Sequence, residues 1–364
     1  MEQRVLTIGE ICSRFSSGKN ITAEYILSEG RYPVFGGNGL RGYTAKYNFK
    51  GKCVIIGRQG AYCGNVRYFN GEGYMTDHAI VAVVNEQHDN RFFAYQLGTM
   101  DLGRFSGQAA QPGLSVTKLA RLKINMPSLP LQRRIASILS AYDNLIEANS
   151  RRIKILEQMA ENLYKEWFVR FRFPNHQNTP IENGIPKGWK KGQLGDVCEF
   201  KRGKNITSGE MVEGAIPVIA AGIEPSGMHN KSNVSGISVT MSSSGANAGY
   251  IAIHYSDIWA ADCSYIDTNS TPYIYFAYEL LNNMRFVINN LQRGAAQPHV
   301  YAKDVNHLKL LIPNEDLIKV ANEQFCKIHS QINTLQLQSA NLTRQRDLLL
   351  PRLMSGQLTP LTNQ

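Results

Sequence analysis

Residues 130–168 read PLQRRIASILSAYDNLIEANSRRIKILEQMAENLYKEWF, and the fold depends on this stretch. Apolar or small residues, with Asn149 among them, recur at Leu131, Ile135, Ile138, Tyr142, Leu145 or Ile146, Ile153, Leu156, Ala160, Leu163 and Trp167. Steps of three and four put one stripe down a single helix. No glycine or proline interrupts it. Pro130 suits a first helical turn, which can do without an N–H, and Ser128 stands where a cap is expected. Such a helix is about 60 Å long at ~1.5 Å per residue, too long to be covered by a neighbouring domain alone. It requires a partner helix.

The other end of the chain supplies one. Ala321, Phe325, Ile328, Ile332, Leu335, Ser339, Leu342, Arg346, Leu349 and Leu353 alternate steps of four and three, the pattern of a coiled-coil seam. The blander reading is two amphipathic helices on separate cores. Polar Asn149, Ser339 and Arg346 on the seams either fix register or lie at a wet edge.

An internal repeat with a shift of 183 to 186 residues connects the two. Ile8-Gly9-Glu10-Ile11-Cys12 answers Leu194-Gly195-Asp196-Val197-Cys198, and GKNIT occurs at residues 18–22 and 203–207. Pro33-Val34-Phe35 matches Pro217-Val218-Ile219, and Gly60 and Gly64 match Gly245 and Gly249. Asp77 matches Asp262, and Phe93-Ala94-Tyr95 matches Phe276-Ala277-Tyr278. Ala109-Ala110-Gln111-Pro112 returns as Ala295-Ala296-Gln297-Pro298. The period is far too long for a solenoid. The unit duplicated is one globe of about 125 residues followed by one long helix. Connectivity then predicts antiparallel helices with a globe at each end, related by a pseudo-two-fold axis.

Each globe reads as mixed α/β structure, giving an α+β chain. Runs such as Cys53-Val54-Ile55-Ile56, residues 79–84 and Ile237-Ser238-Val239-Thr240-Met241 look like short strands. Helices are expected near residues 91–98 and 272–283. Composition sets the class: 364 residues, 43% hydrophobic, net charge +10. No apolar run is long enough to span a membrane, and MEQRVLTIGEI is not a signal peptide. The six cysteines lack zinc-ligand spacing and read as reduced, cytosolic thiols. The positive balance suits a polyanion partner.

The glycine-rich turns are where recognition chemistry fits. Arg58, Gln59, Tyr62 and Asn65 surround Gly60 and Gly64, and Ser243, Ser244, Asn247 and Tyr250 stand in their places in the second half. Arginine and glutamine can read base edges with paired hydrogen bonds, while glycines let a backbone approach phosphate. An ordinary polar hairpin turn is the simpler alternative. The apolar frame is shared between halves but the polar residues differ, as two readers of different sequences would. Lys19 and Lys204 are phosphate-contact candidates or plain surface lysines. Gln111 and Gln297 either touch DNA or brace a loop. Asn38, Lys118 and Lys303 complete the DNA-binding candidates.

Catalytic motifs are missing. There is no DPPY-, NPPY- or NPPF-like tetrapeptide and no Walker A loop. Asp77-His78 becomes Asp262-Cys263 in the second copy, which favours a structural aspartate over an acid–base pair. A solvated helix face explains Asp143 and Glu147. No metal site or bound cofactor is expected.

The duplicated plan, the passage SGQAAQPGLSVTKLARLKINMPSLPLQRRIASIL at residues 106–139 and the ending LLLPRLMSGQL at residues 348–358 resemble the specificity (S) subunit of type I restriction–modification systems. The resemblance covers essentially the whole chain. It implies target-recognition domains at residues 1–128 and 189–313, spacer helices at 129–172 and 314–358, a linker at 173–188 and a tail at 359–364. It implies a non-catalytic, cytoplasmic subunit that reads a bipartite, asymmetric DNA site with an unspecified gap. The partners implied are two modification (M) subunits, which bind S-adenosylmethionine and methylate adenine, and two restriction (R) subunits, which use ATP and Mg. A related complex cutting on both sides of its site, a fused enzyme and a DNA-blind adaptor are the alternatives. Leu139, Ile155, Met159 and Phe168 lie partly off the stripe and are candidates for partner docking. The second joint, Ile312-Pro313-Asn314-Glu315-Asp316-Leu317, lacks the proline and glutamine of Pro130-Leu131-Gln132, which leaves open whether both joints contact the M subunit equally.

Overall fold

The structure is a computed structural model that describes residues 4–107, 113–294 and 296–360. It divides into two compact units, Met1–Glu147 with Ser339–Gln364, and Ala148–Gln338. The division falls within both long helices, so each unit combines one globe with a part of each helix.

In the first unit, β1 (Arg4–Thr7) pairs antiparallel with β8 (Lys123–Met126). The other strands are β2 (Cys12–Ser17), β3 (Tyr32–Gly36), β4 (Gly39–Thr44), β5 (Phe49–Gly57), β6 (Val66–Met75) and β7 (Ala79–Val84). They form one mixed sheet in the order β2-β7-β5-β6-β3-β4. The continuous apolar runs in β5 and β7 follow from burial on both faces. Val54, Ile56, Ile80 and Ala82 enter the core that faces the helices. Cys53, Ile55, Ala79 and Val81 point the other way, to Phe35, Phe49 and Met75, as the two-residue period of a strand requires. Helix Asn90–Gly98 is capped by Asp89, whose carboxylate accepts from the Arg91 and Phe92 amides. Gln132, fully buried, braces that cap: its Oε1 accepts from Asp89 N (2.9 Å) and its Nε2 donates to Pro127 O (2.7 Å).

The strands of the second unit begin with the hairpin β9 (Ile181–Glu182) and β10 (Ile185–Pro186). There follow β11 (Lys190–Gln193), β12 (Lys201–Arg202), β13 (Ile216–Ile219), β14 (Gly227–His229), β15 (Ser238–Ser242), β16 (Ile251–His254), β17 (Trp259–Ala260), β18 (Cys263–Asp267) and β19 (Lys309–Ile312). The pairing repeats the first unit. β11 with β19 answers β1 with β8, and β15 between β18 and β16 answers β5 between β7 and β6. β13, antiparallel to β14 and parallel to β17, answers β3, antiparallel to β4 and parallel to β6. One difference stands out. The place of continuous β6 is taken by two short strands, β16 and β17, so the sheet splits in two. Asp257 holds the break by accepting from Gly236 N (2.8 Å) and Ser232 Oγ (3.4 Å). The missing glutamine of the second joint is also answered: Asn322 Oδ1, on the second long helix, accepts from the Tyr275 and Phe276 amides at the start of helix Ile274–Asn283.

The first long helix is Leu129–Tyr164, extended by a π-helical turn at Lys165–Val169; the second is Glu315–Met354. The second passes Pro351 in its last turn, and Gly356 (φ +76°) closes it in the left-handed conformation with Leu358 N donating to Arg352 O. In the first unit Leu353 shares a core with Ile135 and Leu139, and Arg346 pairs with Asp143 at 2.8 Å. Numbers rise on one helix as they fall on the other, so the two run antiparallel. In the second unit Ala160, Tyr164 and Phe168 share a core with Leu317, Ile318, Ala321 and Phe325. The seam residues expected from the sequence are buried or half-buried, with Ile146 rather than exposed Leu145 on the stripe.

Burial pushes the Cys12, Cys53, Cys198 and Cys263 thiols up to about 12, which leaves little thiolate at neutral pH. Burial also lowers His254 to about 4, and its Nε2 lies 2.8 Å from Thr240 Oγ1. The unfolded chain takes up this proton near pH 6.5 and the folded chain only near 4. The stability this imidazole carries is therefore complete above 6.5 and lost as pH falls toward 4, at up to about 1.4 kcal/mol per pH unit. Chemical denaturation of His254→Gln is expected to show a shallower acid-side loss than the wild type.

Candidate functional site

Several turns of the first unit converge at one place. Gly18 N and Lys19 N donate to Ala79 O and Met75 O, Arg58 N donates to His78 O, and Leu114 N donates to Arg58 O. The approach is close enough to demand glycine: a Cβ on Gly57 would lie 2.4 Å from Gly37 O and 2.6 Å from Tyr62 O. Around this knot, Arg58 Nη1 donates to Ser17 Oγ (3.2 Å) and Asp77 O (3.4 Å), and Gln59 Oε1 lies 2.6 Å from His78 Nδ1. The structure thus brings Lys19, Arg58 and Gln59 together with Asp77 and His78. Asn38, Tyr62 and Asn65 are exposed nearby on the same turns. Arg58 is half-buried and committed to its neighbours, so part of its work is bracing.

The second unit repeats the frame with other side chains. Gly64 N to Gly57 O (2.8 Å) is matched by Gly249 N to Ser242 O (2.8 Å). Cys63 N to Gly60 O is matched by Ala248 N to Gly245 O, both 3.0 Å. Gly60 and Gly245 share a positive φ (85° and 76°), as do Gly64 and Gly249 (92° and 86°). Lys204 holds the place of Lys19: its amide donates to Ala260 O, its carbonyl accepts from Trp259 Nε1, and its ammonium is exposed. Ser243 Oγ lies 3.5 Å from Ser264 Oγ. Tyr250 is exposed and Asn247 half-buried.

Some expectations are corrected. Ser244 is buried, its hydroxyl donating to Asp262 Oδ2 (2.7 Å), so it is a brace rather than an exposed reader. Asp143 is no solvated surface acid; it accepts from the Tyr95 hydroxyl and from Arg346 Nη1. Leu139 is fully buried and Phe168 nearly so, each in the core of its own unit, and neither offers docking surface. Ile155 and Met159 are more than half exposed (57% and 53%). Lys118 and Lys303 lie exposed on short helices Val116–Ala120 and Ala302–Asn306, and Gln297 is exposed beside the turn where Gly245 N meets Pro298 O. Gln111 lies outside the described residues.

Sequence reasoning missed two groups. Arg41 and Arg67 are exposed and flank the turn at residues 36–39. His329 and Glu279, 2% and 4% exposed, pair at 2.8 Å in the second unit, and His329 Nδ1 lies 2.8 Å from the Tyr255 hydroxyl. A signal for His329 was present: it stands one turn after seam residue Phe325 on the second long helix. Among the described residues no cluster of histidine, cysteine or carboxylate is arranged to hold a metal, and no helix is long and apolar enough to cross a membrane.

Comparison with known proteins agrees with this organisation. The EcoprrI specificity subunit of a type I restriction enzyme from Escherichia coli is 37% identical over 166 residues, 44% of this chain and 41% of that one. The MjaIX specificity subunit of Methanocaldococcus jannaschii is 26% identical over 294 residues, 73% of this chain and 68% of that one. The matched stretch is thus less than half of the EcoprrI subunit's length. A crystal structure of a type I restriction–modification S subunit from M. genitalium has the same fold, with a TM-score of 0.73, 20% identity, and coverage of 100% of this chain and 97% of that one. The model of one family matches twice, at residues 2–158 and 186–340, once for each copy of the repeat. The chain belongs to the type I restriction modification DNA specificity domain family.

Proposed function

We propose that this chain is the DNA-reading subunit of a type I restriction–modification complex and catalyses nothing itself. Each unit reads one half of a bipartite, asymmetric site. The two helices, 36 and 40 residues long, set the gap and dock two modification subunits, with exposed Ile155 and Met159 as contact candidates. S-adenosylmethionine belongs to those partners, and ATP with Mg to two restriction subunits that join them, in the cytoplasm. The observation that carries the reading is the pair of turns at residues 57–65 and 242–250. Their hydrogen bonds and glycine conformations coincide while their polar side chains differ. A frame kept constant beneath altered donors and acceptors supports two readers of unlike sequence. Exposed Lys19, Lys118, Lys204 and Lys303 supply phosphate contacts, which give affinity and salt dependence but no sequence choice.

The test is to sequence methylated sites in cells that carry the chain with its modification subunit, and to footprint the purified complex on those sites. Two protected half-sites separated by an unprotected, sequence-indifferent gap are expected. Binding that ignores sequence, or absence of DNA binding with the complex assembled, leaves the adaptor reading in its place.

A further inference from the structure

We propose that Arg67, assisted by Arg41, reads a guanine in the half-site of the first unit. The proposal rests on the DNA-reading role above and narrows it to a base and a residue. Arg67 lies on β6 beside the turn at residues 36–39. Its guanidinium carbon sits 6.0 Å from the centre of the Phe35 ring, and Phe35 is itself buried in the sheet core. Its Nη2 comes within 3.3 Å of where a Cβ on Gly39 would stand. The stem of Arg41 crosses the other end of the same turn, its Cδ 2.6 Å from the position of a Cβ on Gly36. Glycines thus make room for both arginines against one hairpin tip, which also carries exposed Asn38.

Both side chains are exposed. Among the described residues neither makes a hydrogen bond or ion pair, whereas Arg58 spends donors on Ser17 and Asp77. A planar fork held over an aromatic ring with its donors free is pre-organised for a planar, two-acceptor target. In duplex DNA that target is guanine, whose O6 and N7 face the major groove as paired acceptors.

The strand registers show that this equipment belongs to one unit only. Arg67 faces Ile55 across the sheet, and the equivalent of that pair is Thr240 with Ala252. Arg41 precedes Gly42, which pairs with Val34; the equivalent Gly227 pairs with Val218 and is preceded by Ser226. Alanine and serine replace the two arginines, so the second half-site owes no guanine to these positions.

The experiment compares methylated motifs for wild type, Arg67→Ala, Arg41→Ala and Arg67→Gln, each with the modification subunit. Arg67→Ala is expected to relax one guanine position in one half by about 5- to 150-fold in preference, leaving the other half unchanged. Arg41→Ala is expected to relax the same half more weakly. Arg67→Gln, which keeps the stem and a two-pronged head, is expected to move that position toward adenine. An unchanged motif, or a uniform fall in methylation at an unaltered motif as a phosphate contact would give, overturns the proposal. So does a wild-type motif whose half governed by this unit contains no guanine on either strand. A wild type with no bipartite motif at all overturns the DNA-reading role instead, so the two failures are distinct.

Discussion

Glu279→Ala is expected to destabilise the second unit by about 2–4 kcal/mol, because it leaves a buried hydrogen-bonding group without its partner and opens a space in a packed interior. The glutamate carboxylate lies 2.8 Å from His329 Nε2, with both residues almost without solvent contact. His329 is enclosed on its other sides. Tyr255 bonds to Nδ1, Tyr275 stacks on the ring at 5.5 Å, and Tyr278 meets it edge-on at 5.2 Å. Truncating Glu279 leaves a ring nitrogen without its partner and a space that a methyl group cannot fill. Glu279→Gln keeps the shape and one hydrogen bond and is expected to cost about 1–2 kcal/mol. Replacing both members by leucine is expected to fall nearer the wild type than Glu279→Ala alone, since apolar packing commonly substitutes for a buried pair. Calorimetric melting of the three variants checks the order. A Glu279→Ala melt that coincides with the wild type would show the pair to be idle.

The pair also shows how the duplicated frame was put to separate uses. By the repeat, Glu279 corresponds to Gln96 and His329 to Asp143. In the first unit Asp143 bonds to the hydroxyl of Tyr95 and to Arg346 at 2.8 Å. Each long helix is thus tied by polar groups to the small helix of the globe beside it, with different residues in the two copies. The second helix then closes the first arrangement with Arg346.

What was legible in the sequence was whatever depends on neighbours a few residues away or on strict periodicity. Strands β5 and β7 were visible because burial on both faces demands unbroken apolar runs. The helices were visible because their seams keep one face over ten or more turns. Polar side chains were judged poorly because their partners are remote. Ser244 looked exposed, but it is buried with its hydroxyl donating to Asp262, which lies 18 residues away. Asp143 looked solvated, and Arg346 lies 203 residues away. Phe168 resembled a docking residue until Trp189 and Phe276 packed on it at 6.1 and 5.1 Å. Arg41 and Arg67 escaped notice as well. Arg67 is remote in sequence from the turn at residues 36–39, and only the pairing of β3 with β6 brings it there. The break between β16 and β17, where Asp257 accepts from Gly236 N and Ser232 Oγ, is announced by nothing local in the sequence.

Transplanting one turn onto the other is expected to change half of the DNA motif and nothing else. The first unit should accept the second unit's polar residues through Arg58→Ser, Gln59→Ser, Tyr62→Asn and Asn65→Tyr together. The glycines at 60 and 64 already hold the φ angles found at 245 and 249, and the backbone bonds within the turn coincide. A serine at position 59 would find Asp77, the counterpart of the Asp262 carboxylate that receives Ser244. The losses are the bonds from Arg58 to Ser17 and Asp77 and from Gln59 to His78, all near the surface and within reach of water. Stability should therefore change by no more than about 1–2 kcal/mol. Recognition should change far more, because each altered base contact is worth about 1–3 kcal/mol and several are exchanged at once. Sequencing the methylated sites of the chimera with its modification subunit should return one half-motif altered and the other retained, with the gap the same. Alteration of both halves would mean that each turn touches the whole site. Retention of both, in a chimera that melts like the wild type, would mean that these turns support the readers and that the reading itself falls to side chains such as Arg41 and Arg67, which the chimera leaves in place.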